Sequence, residues 1–164
     1  MTNEITKETL LKLLAQIPDP EIPVLNITDL GVIRDLIIKT DEIIVTITPT
    51  YSGCPAMKMI EDQIIESLQK ETGKKIKVNT IFSPAWTTDW IPEEAKIKLR
   101  DYGIAPPEKT TSDKSVLFGE KKIVACPQCH STNTELISQF GSTACKSLYK
   151  CLDCLEPFDY FKCI

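Results

Sequence analysis

The stretch "PTYSGCPAM", residues 49–57, joins an apolar strand-like segment to an amphipathic helix-like segment. On its amino side, "EIIVTIT" at 42–48 is rich in β-branched residues, which favour strands. On its carboxyl side, residues 55–71 predict a long helix, because Pro55 suits a first helical turn and apolar residues recur at helical spacing up to Gly73. This order places one cysteine, Cys54, where a strand ends and a helix begins.

The segments around this junction complete a small α+β pattern. Thr6 predicts the cap of a helix over 6–17, which Pro18 ends. Residues 32–39 and 42–48 predict a β-hairpin, residues 75–82 a third strand, and residues 92–103 a last helix. Met57 and Met59 are predicted to pack in the core. The predicted element order is therefore αββαβα.

Composition limits the function classes. The chain has 164 residues, 42% of them hydrophobic, and a formal net charge of −4, which disfavours general nucleic-acid binding. No apolar run approaches the ~20 residues that cross a bilayer, and the polar start "MTNEITKETL" does not resemble a signal peptide. We therefore expect a cytoplasmic protein without membrane or nucleic-acid partners, whose seven cysteines serve metal or redox chemistry.

The composition changes after the predicted last helix. Residues 105–122 contain two prolines and mixed charges, which is typical of a linker, and six of the seven cysteines follow residue 125. The sequence therefore predicts a domain at 1–104, a linker at 105–122 and a cysteine-rich β module at 123–164.

Two C-x₂-C hooks, "CPQC" at 126–129 and "CLDC" at 151–154, are separated by twenty-one residues. A two-residue gap lets both thiolates of a hook bind one metal ion, and two hooks complete the tetrahedron that structural zinc prefers. Because about forty residues bury too little surface to fold alone, we expect the metal to stabilise the module. The predicted ligands of a zinc ribbon are Cys126, Cys129, Cys151 and Cys154.

The other residues of this module leave alternatives open. Cys145 and Cys163 are either small buried apolar groups or a second thiolate pair that contacts iron or a cluster. His130 is the single histidine, so we expect it at the surface or behind a ligand rather than in a two-histidine finger. The lysines of the module are balanced by acidic residues, which again disfavours nucleic acid.

Cys54 is the second candidate site. Free backbone N–H groups and the dipole at a helix amino end stabilise a thiolate, so we expect a lowered pKa, with Ser52 supplying a further hydroxyl. Asp19 and Glu21 of "DPE", with Asp29 nearby, would complete an open site for a transient iron ion or iron–sulfur cluster. The alternative is that Cys54 is a buried thiol and Asp19 a turn residue.

Residues 1–104 resemble the small domain of cytosolic iron–sulfur assembly factors, the SufT-like family. The resemblance rests on Asp19-Pro20-Glu21, Thr28-Asp29-Leu30-Gly31 and Gly53-Cys54-Pro55. Over nearly its whole length, the chain is also similar to the D-subunit family of bacterial ring-1,2-phenylacetyl-CoA epoxidase systems. That similarity is carried by "SPAWTTDW" at 83–90, "DYGIAPP" at 101–107, "FGSTACKSLYKC" at 140–151 and "EPFDYFKC" at 156–163.

The resemblance implies an accessory role in aerobic phenylacetate degradation. The chain would help to assemble iron or iron–sulfur centres in the oxygenase or reductase subunits, which would be its partners; a homodimer is also compatible with it. The chain lacks Glu-x-x-His pairs and a glycine-rich nucleotide loop, so we expect no catalysis of its own. Two alternatives stay open: a non-catalytic structural subunit, and an electron carrier with a cluster on the carboxyl-terminal cysteines.

Overall fold

A computed structural model describes residues 5–108 and 122–162 of the chain. The chain divides into two compact units, Met1–Trp86 and Thr87–Ile164. Among the helices within these described ranges, none combines the length and the apolar character that a bilayer crossing requires.

The first unit is built on a three-stranded sheet. Its elements are α1 (Lys7–Leu14), β1 (Ile33–Ile38), β2 (Glu42–Ile47), α2 (Ala56–Thr72) and β3 (Lys75–Thr80). The strands lie in the order β1-β2-β3, with β1 antiparallel to β2 and β3 parallel to β2. The predicted hairpin is therefore confirmed, and the parallel pair brings the carboxyl ends of β2 and β3 to one edge of the sheet.

Helix α1 is shorter than the predicted span of 6–17. Its start is as predicted, because the Thr6 side chain accepts a hydrogen bond from Thr9 N at 3.2 Å in a capping box. After Ala15 the chain continues in tighter turns, with Ile17 N bonded to Leu14 O at 3.1 Å. Pro18 explains the early end, since a proline disfavours helical backbone at the residue before it.

Helix α2 covers the sheet with one apolar stripe. Ala56, Ile60, Ile64 and Leu68 are buried at a spacing of four residues, and Gly73 ends the helix with a left-handed φ of 66°. Each fully buried aliphatic side chain contributes about 1.5–3 kcal/mol by leaving water. Met59 lies off this stripe and is 53% exposed, so its prediction as a core residue is wrong.

The second unit is a four-stranded sheet with a helix before it. Its elements are a 3₁₀ turn (Thr88–Trp90), α3 (Glu93–Tyr102), β4 (Ile104–Ala105), β5 (Thr134–Ser138), β6 (Lys146–Cys151) and β7 (Pro157–Phe161). The strand order is β4-β7-β6-β5, and an apolar cluster that includes Tyr149, Phe158 and Tyr160 fills the sheet's core.

The α+β class and the αββαβα order are confirmed. The boundaries predicted at 104 and 122 stay a prediction, and residues 109–121 lie outside the described residues. In the structure, α3 falls in the second compact unit, where β4 pairs in parallel with β7 through Ile104 and Asp159.

Candidate functional site

The four hook cysteines of the second unit come together at one point. Their sulfur atoms all lie within 4.8 Å of one another. The distance between Sγ atoms is 3.7 Å for Cys126 and Cys154, and 3.5 Å for Cys129 and Cys151. A tetrahedral zinc ion with bonds of about 2.3 Å places its sulfur ligands about 3.8 Å apart. The cluster therefore has the size of a single tetrahedral metal ion.

Backbone geometry holds each hook in a tight turn. His130 N donates to Cys126 O at 2.9 Å, and Cys126 N donates to Ser131 O at 2.9 Å. In the second hook, the N–H of Cys154 donates to Cys151 Sγ at 3.5 Å. This backbone hydrogen bond is the main reason why the pKa of Cys151 is lowered to about 7.

Side chains also tie the two hooks to each other. Asp153, in the turn of the second hook, accepts hydrogen bonds from Ser131 Oγ and, at 2.8 Å, from Asn133 Nδ2. These two hydrogen bonds lower the pKa of the Asp153 carboxyl group. The His130 side chain is exposed, and the group of potential metal ligands found among the described residues consists of the four cysteines without it.

Cys145 lies elsewhere in the second unit. It is buried, and its sulfur lies 3.0 Å from the Thr143 hydroxyl oxygen. It does not belong to the four-cysteine cluster. The burial of Cys145 agrees with the interpretation of this residue as a small buried apolar group. Cys163 lies outside the described residues, so the alternative of a Cys145–Cys163 thiolate pair stays untested.

In the first unit, Cys54 occupies the predicted junction between β2 and α2. Its N–H donates to Tyr51 O at 3.3 Å, which closes a turn over residues 51–54, and Gly53 has a left-handed φ of 89°. Met57 N donates back to Cys54 O at 3.2 Å, so helix α2 begins directly after the thiol. Cys54 is 9% exposed.

The prediction of a lowered thiol pKa is wrong. Burial raises the pKa of Cys54, and the negative charge of Glu21 raises it further. Hydrogen bonding from Ala56 N–H and from the Tyr51 and Thr50 side chains lowers the pKa, but these contacts do not outweigh the loss of solvent. The stabilisation expected at a helix end is present locally and is outweighed by tertiary burial.

The acidic residues of "DPE" take different positions. Asp19 is buried and 7% exposed, and its Oδ1 accepts hydrogen bonds from Glu21 N at 2.9 Å and Ile22 N at 2.7 Å. Asp19 therefore orders the turn that carries Glu21. The charge of Glu21 acts on the Cys54 thiol, so the structure brings these two groups into electrostatic range. Asp29 Oδ2 accepts from Asn26 N at 3.3 Å within the next turn.

Sequence reasoning missed Thr50 and Tyr51, whose side chains act to lower the pKa of the Cys54 thiol. The sequence predicted that the Ser52 hydroxyl would stabilise the thiolate, but Ser52 is exposed. The available signal was the turn itself, since a reversal at Gly53 brings residues a few positions before Cys54 back against the thiol.

Comparisons with known proteins match two separate parts of the chain to two different families. Residues 7–80 match a family described as iron–sulfur cluster assembly protein, and residues 110–162 match the PaaD zinc beta ribbon domain. An Escherichia coli (strain K12) protein named as the putative D-subunit of 1,2-phenylacetyl-CoA epoxidase is 49% identical over 152 residues, covering 93% of this chain and 90% of that protein.

Two further relatives match a little more than half of the chain. An Fe–S protein maturation auxiliary factor of Porphyromonas gingivalis is 36% identical and covers 60% of this chain and 97% of that protein. The crystal structure of a domain of unknown function, DUF59, from Bacillus anthracis has a TM-score of 0.53 and 27% identity, covering 57% of this chain and 90% of that chain.

The fold, the two family matches and the four-cysteine cluster thus define a class: an iron–sulfur assembly domain followed by a zinc-ribbon domain whose four clustered cysteines could hold a metal ion. Within this class, the chain belongs to the D-subunit family of 1,2-phenylacetyl-CoA epoxidase systems, because it is 49% identical to the Escherichia coli protein over 93% of its length.

Proposed function

We propose that this protein is a non-catalytic accessory factor of a phenylacetyl-CoA epoxidase, which helps to assemble iron or iron–sulfur centres in the oxygenase or reductase subunits. The observation that carries the proposal is the position of Cys54 in the turn directly before α2, in a chain whose relatives include one named for Fe–S protein maturation. It acts in the cytoplasm, where thiols stay reduced.

Cys54 is the group that would bind the cargo. A thiolate is a soft ligand that suits iron, and a nearby carboxylate adds negative charge and a second ligand type. Glu21 supplies that carboxylate, while Asp19 holds the turn through the amide hydrogens of Glu21 and Ile22. A site with so few protein ligands leaves coordination positions for the receiving protein, which suits transfer better than storage.

The raised thiol pKa is compatible with this role. At neutral pH a buried thiol next to Glu21 stays protonated, which protects it from oxidation between transfers. A metal cation reverses the balance, because its charge favours the thiolate and offsets the repulsion from Glu21. Cys54 would therefore ionise when the cargo arrives.

The second unit would hold structural zinc through Cys126, Cys129, Cys151 and Cys154 and dock the client protein. The sulfur atoms lie within 4.8 Å of one another, which fits one ion bound by all four. In an iron–sulfur cluster the four cysteines are divided over two or four irons, so not all of their sulfur atoms can lie as close together as the ligands of one ion; the spacing therefore favours zinc over an electron-carrying cluster.

The test is co-expression of the epoxidase subunits with a Cys54→Ala variant of this protein. We expect a correctly folded variant, because the side chain shrinks by one atom, and an epoxidase with several-fold less iron and activity. Met59→Ala, on the exposed face of α2, is the matched control and should leave the iron content unchanged. Epoxidase with full iron and activity beside Cys54→Ala would overturn the proposal.

A further inference from the structure

A groove lies between the end of α1 and one face of α2 in the first unit, and it has a volume of about 360 Å³. Leu13, Ile17 and Pro18 form an apolar wall at the end of α1, and the opposite wall comes from α2, beginning at Gln63. A groove of this size accommodates one long side chain or a small molecule. Cys54 is not among the residues that line it, so the groove is a feature separate from the candidate site at that thiol.

Gln63 leaves a hydrogen-bond acceptor unused in the α2 wall. Its side-chain Oε1 is buried and has no hydrogen-bond partner, and within the part of the chain that the structure describes it shares this state only with Thr48 Oγ1. Thr48 does not line the groove, whereas Gln63 does. A buried acceptor without a donor destabilises the folded chain, and a rotation of the amide group would bring Oε1 to the groove. The groove therefore favours a ligand that donates a hydrogen bond at Gln63.

Two carboxylates of α2 give the groove an acidic rim. Glu66 and Glu71 line it and are exposed, and among residues 5–108 and 122–162 neither has an ion-pair partner. Lys70 also lines the groove, so two carboxylates and one ammonium group leave a net charge of −1 on the lining. The charge of the rim thus favours a cation, in agreement with the donor that Gln63 requires.

We propose that this groove binds an arginine side chain of a partner protein. A guanidinium group carries five N–H donors in a planar fork, so it can donate to the Gln63 oxygen and to a rim carboxylate at the same time. The methylene groups of the arginine would pack on Leu13 and Ile17 of the apolar wall. The exposed rim and the exposed Pro18 leave room for the rest of a polypeptide to continue along the surface. The inference rests on the proposed function only in its choice of partner, an epoxidase subunit.

The chemistry of the ligand is tested by an NMR titration of the full chain, with zinc bound, with N-acetyl-arginine amide. We expect the largest shifts at the Gln63 side-chain amide and at the end of α1, with half-saturation at millimolar concentrations. The control ligand is N-acetyl-citrulline amide, which has nearly the same shape but no charge and should bind about tenfold more weakly. Absence of shifts with the arginine compound, or equal affinity for both compounds, would overturn the inference.

Gln63→Leu separates binding from structure. The variant keeps an aliphatic side chain in the wall but removes the acceptor, so we expect the arginine compound to bind about tenfold more weakly. Because Oε1 has no donor in the free chain, the same variant should not lower the melting temperature. A lower melting temperature or unchanged binding would contradict the role assigned to Gln63.

Glu66→Gln and Glu71→Gln test the acidic rim. Each should weaken binding of the arginine compound about threefold at low salt, and added salt should reduce the difference, because exposed charges are screened. Glu8→Gln is the matched control: it changes the net charge by the same amount in the first turn of α1, at the other end of that helix, and should leave binding unchanged. Equal weakening by Glu8→Gln would show that only the total charge of the protein matters and would overturn the assignment of the rim.

The partner is tested with the purified oxygenase and reductase subunits of the epoxidase. Reversal of one rim charge, Glu66→Lys, should weaken association of the full chain with its partner subunit by about fivefold or more. Absence of association, or association that this variant does not change, would assign the groove to a free small cation and overturn the choice of partner. Self-association that Glu66→Lys abolishes in light scattering would assign the groove to a second copy of this chain and overturn it as well. Neither test uses iron or Cys54, so failure here would leave the delivery role of Cys54 intact.

Discussion

At the scale of single residues, the two hooks share one backbone feature. His130 and Leu155, each directly after the second cysteine of a hook, have left-handed φ values of 63° and 64°. This conformation costs a residue with a β-carbon roughly 1–2 kcal/mol, and glycine adopts it freely. Both residues keep the left-handed conformation because the chain must turn back after each hook to bring the four sulfur atoms together. In the first hook, His130 N donates to Cys126 O at 2.9 Å.

Leu155→Gly should therefore stabilise the second unit. The side chain is 64% exposed, so little buried surface is lost. Relief of the left-handed strain outweighs the larger entropy of glycine in the unfolded chain, and we expect the free energy of unfolding to rise by about 0.5–1 kcal/mol. Urea denaturation of the zinc-bound protein measures this difference.

Leu152→Gly is the matched control for this prediction. Leu152 is also exposed and belongs to the same hook, but it has no left-handed φ, so glycine should lower the free energy of unfolding. Equal destabilisation by both substitutions would show that the strain at Leu155 is not significant.

At the scale of elements, β6 and β7 are held together at the end where the loop over 139–145 leads into β6. Asp159 accepts a hydrogen bond from Ser142 Oγ at 3.1 Å and lies 3.9 Å from the buried Lys146 Nζ. Gly141 makes this approach possible, since a β-carbon there would lie 2.5 Å from Asp159 Oδ1. Gly141 N also donates to Lys146 O at 2.7 Å, so the backbone cannot simply move away.

Gly141→Ala should lower the free energy of unfolding by about 1–3 kcal/mol, because the added methyl group displaces the Asp159 carboxylate. Chemical denaturation checks the size of the effect. In the double variant Gly141→Ala/Asp159→Ala the obstacle is removed, so the combined loss should be smaller than the sum of the two single losses. Strict additivity would contradict the proposed clash.

Elements with strong local patterns were predictable from the sequence. The spacing of Ile60, Ile64 and Leu68 and the cap at Gly73 define α2, and the hook spacing defines the four-sulfur cluster. Strand β4 was not predictable, because two residues, Ile104–Ala105, carry no periodic signal and become a strand only by pairing with β7.

The pKa of the Cys54 thiol was mispredicted for a similar reason. Burial depends on distant chain segments, which the sequence of a helix end by itself does not reveal.

At the scale of the whole molecule, the two compact units differ in what stabilises them. The first unit has a core of aliphatic side chains on α1, α2 and the three-stranded sheet. In the second unit, Cys126 and Cys151 belong to the apolar cluster itself, so the metal ligands are part of the core. We therefore expect the folding of the second unit, but not of the first, to depend on its metal.

Removal of the metal by a strong chelator should unfold the second unit selectively. Metal analysis before chelation should give one zinc ion per chain, because the four sulfur atoms fit one tetrahedral ion. After chelation, hydrogen exchange should become fast in β6 and β7, while α2 and β2 keep their protection.

Cys126→Ser should reproduce this pattern without chelator, and Cys54→Ala, the matched control, should not. Equal loss of protection in both units would mean that they fold as one cooperative body, and iron with a charge-transfer colour in place of zinc would assign electron transfer to the four-cysteine site.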